Sequence, residues 1–333
     1  MAKVKIGIMG FGEIGRHIFR ICSKEEEVDV VVISDYGRPD ILHYLLQAET
    51  KWRFKANLEN DNFISSGHER ARVITGGKPG DVPWDVFDVD FVVDATGTFK
   101  TRHELEKHLK AGARRVMLST LPEDQIDNIV IMGVNDNRIN QNDRIVSAGS
   151  ATTNAAGILL KLFNENFGVD YAMLTTVHSY TSDQPLRDRA GNSFRRSRSA
   201  AENIIPNETP SPRWLQHILP ELAGRIEGSA LNVPISNGSL LDLTTVFKNP
   251  GVTIEDVNRI MYKAAADMPR LVEVMEDPIA SSDVVNNTHS VVFDIQASMK
   301  SPSRMIKTLT WYHQALAQAS RIVDVIKKYH NVG

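Results

Sequence analysis

Cysteine is nearly absent. Cys22 is the only one among 333 residues, so no intrachain disulfide can form and a bridged scaffold is excluded. An excess of one charge is absent too. The chain has 38 Lys and Arg against 41 Asp and Glu, a net charge of −3, which excludes a global field for polyanions. No apolar run approaches the ~20 residues of a membrane span. There is no internal repeat and no low-complexity segment. The first residues, Met1-Ala2-Lys3-Val4-Lys5-Ile6-Gly7-Ile8, have no long apolar core. No signal peptide is therefore expected, and the expected location is cytoplasmic. What remains is globular in composition, 42% hydrophobic and 24% charged, with length enough for two domains. Cys22 falls on the stripe Ile14, Ile18, Cys22 at i, i+4, i+8. That reads as core packing rather than a reactive thiol.

The N-terminal half alternates strands and helices. Lys3 to Met9 is an apolar strand, Gly10-Phe11-Gly12-Glu13-Ile14-Gly15 follows at once, and Arg16 to Lys24 reads as a helix. Alone, G-x-G-x-x-G is a weak signal. Here it sits in the strand–turn–helix context that dinucleotide binding requires. A second strand, Val28 to Ser34, ends in Asp35, about 20 residues after Gly15, where an acid would meet the adenosine ribose and favour NAD over NADP. Residues 36–88 are polar and irregular, with short strands expected. Further strands are expected at 86–96, Arg115 to Ser119 and Asn128 to Val134, with a helix at His103 to Ala113.

The stretch Ser147-Ala148-Gly149-Ser150-Ala151-Thr152-Thr153-Asn154-Ala155-Ala156-Gly157 leads from a strand into a helix. Ser150 is the expected N-cap and Gly168 the stop. Beyond it the pattern changes to long strands at 171–180, 240–247, 291–297 and 305–312, with helices at 254–268 and 314–329. A largely antiparallel or mixed sheet is expected there. His178 stands near a strand end in Thr175-Thr176-Val177-His178-Ser179-Tyr180-Thr181-Ser182-Asp183-Gln184. Residues 185–199 form a loop with five arginines. It lacks interleaved aromatics, so nucleic acid is not an expected partner.

These motifs together resemble the phosphorylating glyceraldehyde-3-phosphate dehydrogenase family. Ser147 to Ala155 is similar to the active-site signature S-x-x-S-C-T-T-N-C. The His178 segment resembles T-V-H-A-Y-T-x-D-Q. Arg195 to Pro206 resembles L-R-R-A-R-A-A-A-x-N-I-I-P, and Trp311-Tyr312 the start of W-Y-D-N-E-x-G-Y-S. The resemblance implies an α/β chain with a Rossmann-type NAD-binding domain at 1–150 plus 314–333. It implies an α+β catalytic domain at 151–313 with a mostly antiparallel or mixed sheet. It further implies a homotetramer, a small aldehyde substrate and NAD as cofactor. Position 151 would be the nucleophile and His178 the base. Ser150, Thr152, Thr181, Arg196, Thr209 and Asn232 would meet substrate or phosphate. Gly10, Phe11, Gly12, Glu13, Ile14, Asp35, Thr96, Gly97, Ser119 and Gln314 would meet the cofactor. No metal site is implied.

The departures gather at the chemistry. Ala151 stands where the family has its cysteine. Glu13 and Met9 replace Arg and Asn beside the cofactor turn. Pro210 replaces a glycine, Asn232 an arginine that holds the substrate's phosphate, and Gln314 an asparagine. Three readings stay open. The first is an aldehyde dehydrogenase without its nucleophile, lost naturally or by engineering. The second is a non-catalytic NAD-binding homologue. The third is a thiol-independent carbonyl reductase that uses His178.

Overall fold

The computed structural model describes residues 3–332. The chain divides into two compact units, one of residues 1–149 with 318–333 and one of residues 150–317.

In the first unit, β1 (Val4–Met9), α1 (Glu13–Cys22) and β2 (Val28–Asp35) form a β-α-β unit. After α2 (Pro39–Ala48) comes a ribbon of β3 (Asn57–Glu59), β4 (Phe63–Ser66) and β5 (Glu69–Thr75). The unit continues through β6 (Phe91–Asp94), α3 (Arg102–Lys110), β7 (Arg115–Leu118), β8 (Asn128–Ile129) and β9 (Ile145–Ser147). The nine strands lie in the order β3-β4-β5-β2-β1-β6-β7-β9-β8. Only the β3–β4 and β4–β5 pairings are antiparallel. Alternation along the strands feeds two cores. Phe91 and Val93 join Ile6, Ile8, Ile18 and Phe19 on one face, while Val92 joins Val32, Trp84 and Val89 on the other.

The second unit begins with α4 (Ala151–Phe167) and the long β10 (Val169–Ser179). It adds β11 (Ile205–Asn207), α5 (Ser211–Ile218), β12 (Ile226–Val233), β13 (Ser239–Phe247), α6 (Ile254–Asp267), β14 (Val272–Met275), β15 (Val291–Lys300) and β16 (Met305–Tyr312). The seven strands run β11-β12-β10-β13-β16-β15-β14 in a mixed sheet. β10 pairs parallel to β12 and antiparallel to β13, and β13 pairs antiparallel to β16. The C-terminal ends of β10, β12 and β16 therefore share one edge. His178, Asn232 and Tyr312 stand at that edge. α4 packs on β10 and β13, and its first ten residues are all buried. The last helix, α7 (Gln314–Asn331), starts in the second unit and ends in the first.

Some elements differ from the expectation. Residues 39–48 are a helix, not an irregular segment. Pro39 opens it, and only Leu42 and Leu46 of its apolar residues are buried. The strand expected over 128–134 stops at Ile129. Asn135 explains the stop: its Oδ1 accepts from the Ile131 N–H at 2.7 Å and its Nδ2 donates to the Ile129 carbonyl at 2.8 Å. A turn thus claims the groups that a strand would have used. Four elements of the second unit were not foreseen, β11, α5, β12 and β14.

Candidate functional site

At the end of β1 the backbone turns through Gly10, whose φ is +89°. A Cβ on Gly10 would lie 2.8 Å from the Ala95 carbonyl carbon and the Thr96 nitrogen. One on Gly15 would lie 2.3 Å from the Gly10 oxygen. Both glycines are demanded by the packing of the turn itself. Gly12 is different. A Cβ there would meet nothing of the chain within 4 Å, and its φ of −69° suits any residue. Internal packing gives no reason for that glycine. Close approach of a ligand backbone or phosphate to the N-terminus of α1 does. The residues present fit a dinucleotide on this ground.

The neighbours of the turn are mostly committed to holding it. Asp35 accepts from the Phe11 N–H and the Gly37 N–H, each at 2.7 Å, and each oxygen keeps a second lone pair. The Phe11 ring is buried against Phe19, and Ile14 packs on the same core. For Phe11 only the backbone is left to meet a ligand, while Ile14 stays partly exposed. Asp94 Oδ1 takes the Thr96 N–H at 3.0 Å and its hydroxyl at 2.6 Å, which shapes the Thr96-Gly97 turn. Ser119 is buried, and its N–H donates to the Asp94 carbonyl at 3.0 Å. Glu13 is the first residue of α1. Burial, reinforced by Glu49, pushes its carboxyl above the usual range, while Arg16 and Arg20 oppose this.

In the second unit the Ser150 Oγ caps α4 by accepting from the Thr153 N–H at 3.2 Å. Ala151 is the first helical residue and is 8% exposed. Hydroxyls form a relay away from it. Ser150 Oγ lies 2.8 Å from Thr153 Oγ1, which lies 3.0 Å from Ser211 Oγ, which lies 3.3 Å from Thr209 Oγ1. Thr209 also accepts from the Ser211 N–H at 3.3 Å, and Pro210 is the N-cap of α5. A second hub is the buried Tyr312. Its hydroxyl shares hydrogen bonds with Thr152 at 2.8 Å and Thr176 at 2.7 Å, and its ring meets the His178 ring edge-on at 6.4 Å. Burial raises the Tyr312 phenol, although Thr152, Thr176 and Ser239 oppose it. It stays neutral and serves as a spacer.

The Nδ1–H of His178 donates to the Ser179 carbonyl at 2.6 Å, which leaves Nε2 with its lone pair. Burial lowers the His178 pKa, and the Arg196 cation adds to this against Ser179 and Asp183. The imidazole is therefore a neutral base near pH 7. Arg196 forms an ion pair with Asp183, which also accepts from the Thr181 hydroxyl. Burial would raise the Asp183 carboxyl, but these two partners hold it below the usual range. Asn232 is the register partner of His178. Its Nδ2 donates to the Ser179 carbonyl at 3.3 Å and its Oδ1 accepts from Asn207. It stands as a neutral, satisfied amide, in line with the reading that Asn232 replaces an arginine. Gln314 donates from Nε2 to the Ser236 carbonyl and to Asn237 Oδ1, both at 3.1 Å. Its buried Oε1 accepts nothing. That orphan acceptor suits an amide N–H such as that of a nicotinamide.

The structure thus gathers Thr181, Arg196 and Asn232 around His178, and Ser150 and Thr209 along the hydroxyl relay. Sequence reading missed Tyr312 as a hub, along with Thr176 and Ser211. No local pattern marks them, because Tyr312 meets partners from two distant segments. Cys22 is fully buried in the first unit, and burial pushes its thiol well up. It is not a replacement nucleophile.

Comparison with known proteins gives a consistent picture. Residues 4–102 match the family described as "Glyceraldehyde 3-phosphate dehydrogenase, NAD binding domain". Residues 150–314 match "Glyceraldehyde 3-phosphate dehydrogenase, C-terminal domain". The chain is 36% identical over 327 residues to glyceraldehyde-3-phosphate dehydrogenase 1 of Bacillus subtilis, with 97% of each chain covered. It is 38% identical over 326 residues to glyceraldehyde-3-phosphate dehydrogenase 1 of Bacillus cereus, covering 96% of this chain and 97% of that one. For the glyceraldehyde-3-phosphate dehydrogenase of Borreliella burgdorferi the identity is 35% over 336 residues, covering 98% and 99%.

Proposed function

The chain belongs to the glyceraldehyde-3-phosphate dehydrogenase family of NAD-binding oxidoreductases, and we propose that it is an aldehyde dehydrogenase site with its nucleophile missing. The observation that carries this is the setting of Ala151. It occupies the first turn of α4, where backbone N–H groups and the helix dipole would stabilise a thiolate. The Ser150 cap and the Thr152–Tyr312–Thr176 hydroxyls stand in place around it. As it stands, the chain binds NAD and a small aldehyde but forms no thioester.

NAD, when bound, supplies the hydride acceptor. The backbone of residues 10–14 and the N-terminus of α1 would hold its pyrophosphate. Asp35 would meet the adenosine ribose, Thr96, Gly97 and Ser119 would line the dinucleotide, and Gln314 Oε1 would take the carboxamide N–H. With sulfur at position 151, His178 Nε2 takes the thiol proton and thiolate attacks the carbonyl carbon. Ser150, Thr152 and Thr181 orient the aldehyde, and Arg196 and Thr209 draw the attacking phosphate. Asn232 offers an amide rather than a bidentate cation. The aldehyde we propose is therefore short and hydroxylated rather than a phosphate ester at that end.

The test follows NADH formation by absorbance for the chain and for Ala151→Cys, with phosphorylated and plain short aldehydes, with and without inorganic phosphate. Activity in Ala151→Cys alone supports the proposal, and the preferred aldehyde reports what Asn232 accepts. Silence of both proteins while NAD still binds would make the chain a non-catalytic NAD-binding homologue. Turnover by the unaltered chain would make it a carbonyl reductase that uses His178. We also propose a cytoplasmic homotetramer. Among the described residues no helix is long and apolar enough to cross a membrane. The loop that follows Gln184 exposes Leu186, Phe194 and Ile204, which a second copy would cover.

A further inference from the structure

We propose that Asp29, His68 and Glu69 form a binding site for a divalent first-row transition cation such as zinc, at the edge of the first sheet opposite the glycine turn. Asp29 lies at the start of β2 and Glu69 opens β5, the strand that pairs parallel to it. The glycine turn leaves β1, which pairs parallel to β2, at the other end of the sheet. His68 precedes Glu69 in a tight turn through Gly67, whose φ is +61°.

The carboxylate of Glu69 is the decisive group. The residue is 2% exposed. Its Oε2 accepts from the Val30 N–H at 2.7 Å, while its buried Oε1 has no hydrogen-bond partner. A buried carboxylate oxygen without a donor is costly unless a cation meets it. Oε1 points at the rest of the cluster. His68 Nε2 lies 3.5 Å from it and 3.8 Å from Asp29 Oδ1, and the three ligand atoms fall within 4.8 Å of one another. Bonds of ~2.0–2.1 Å at tetrahedral angles would set ligands about 3.3 Å apart, so only small side-chain shifts are needed.

One imidazole and two carboxylates suit zinc, manganese or cobalt better than the all-oxygen ions magnesium and calcium. Asp29 and His68 are each about one-third exposed along their side chains, which gives an ion entry and leaves room for water in the remaining position. Lys3 Nζ now lies 2.9 Å from Asp29 Oδ1, and Glu26 adds negative charge beside it. A bound cation would take over from Lys3 and tie β2, β5 and the His68 turn together. No sequence spacing announces such a site, because Asp29 and the His68-Glu69 pair are separated by the length of two strands and a helix.

The test is calorimetric titration of the full chain with zinc chloride, with bound zinc counted after dialysis. It uses His68→Gln and Glu69→Gln beside the unaltered protein. His68 is an exposed turn residue, and Gln at 69 keeps an acceptor for the Val30 N–H, so both variants should fold. Their metal-free unfolding midpoints check that they do. The proposal expects the unaltered chain to hold one more zinc equivalent than either variant. It also expects zinc to raise the unfolding midpoint more in the unaltered chain. If Glu69→Gln fails to fold, His68→Gln decides alone. Equal zinc stoichiometry and affinity in the unaltered and variant proteins would overturn the site. Equal binding of magnesium at the same residues would overturn its assignment to a transition cation.

Discussion

Tyr312 holds its hydroxyl between Thr152 and Thr176, all three buried, so the loss of one oxygen strands two others. Tyr312→Phe keeps the ring against His178 and removes only that oxygen. The expected cost is ~1–3 kcal/mol, the desolvation penalty of groups left without a partner, measured by urea unfolding. No change in the midpoint would mean that the two threonines find other partners. His178 sets a pH dependence. Its folded pKa lies below the ordinary 6.5, first through burial and then through Arg196. In acid the unfolded chain therefore binds the proton more readily than the folded one. The stability linked to this group is complete above about pH 6.5 and is lost as the pH falls towards the depressed folded value. His178→Gln should flatten that part of the midpoint-against-pH curve. A slope identical to the unaltered chain's would place the acid sensitivity elsewhere. His178 was legible because a motif surrounds it. Tyr312 was not, because its importance lies in contacts across the fold.

At the scale of elements, α4 shows what a cap does for a site. Its first turn presents position 151, and the Ser150 side chain fixes that turn by accepting from Thr153. Ser150→Ala should cost ~0.5–2 kcal/mol, read as a lower thermal midpoint. It should also weaken any activity regained in Ala151→Cys, because the frayed turn no longer aims its N–H groups. Full retention of both would show that the first turn is held by packing alone. This helix was legible from its cap, its small residues and its Gly168 stop. β12 was not. Its inward positions include Gly228, Ala230 and Asn232, and its outward ones Ser229 and Leu231, so short and polar residues hide the period-2 alternation that marks a strand. α2 was hidden in another way. It exposes Ile41, Tyr44 and Leu45, which blurs the contrast between its two faces.

Over the whole molecule, the family could be read because its motifs are spread from Gly10 to Tyr312, each weak alone and specific together. The same spread explains what stayed unread: a motif fixes positions but does not say whether a residue serves the fold or a ligand. Gly12 separates the two demands. Gly10 and Gly15 are required by contacts within the turn, but a Cβ at Gly12 would touch nothing and its φ is ordinary. Gly12→Ala should therefore leave the ligand-free chain within about 1 kcal/mol of the original. A less flexible unfolded chain offsets a poorer N-cap. NAD should stabilise the unaltered chain by mass action, by ~2.7 kcal/mol at a hundredfold excess over its Kd. A methyl group in the path of the pyrophosphate should abolish most of that gain. Unfolding both proteins across a series of NAD concentrations makes the comparison. Parallel rises in midpoint would show that the glycine at 12 is not there for the cofactor. A rise confined to the unaltered chain would show that the open space above Gly12 is the part of the turn reserved for it.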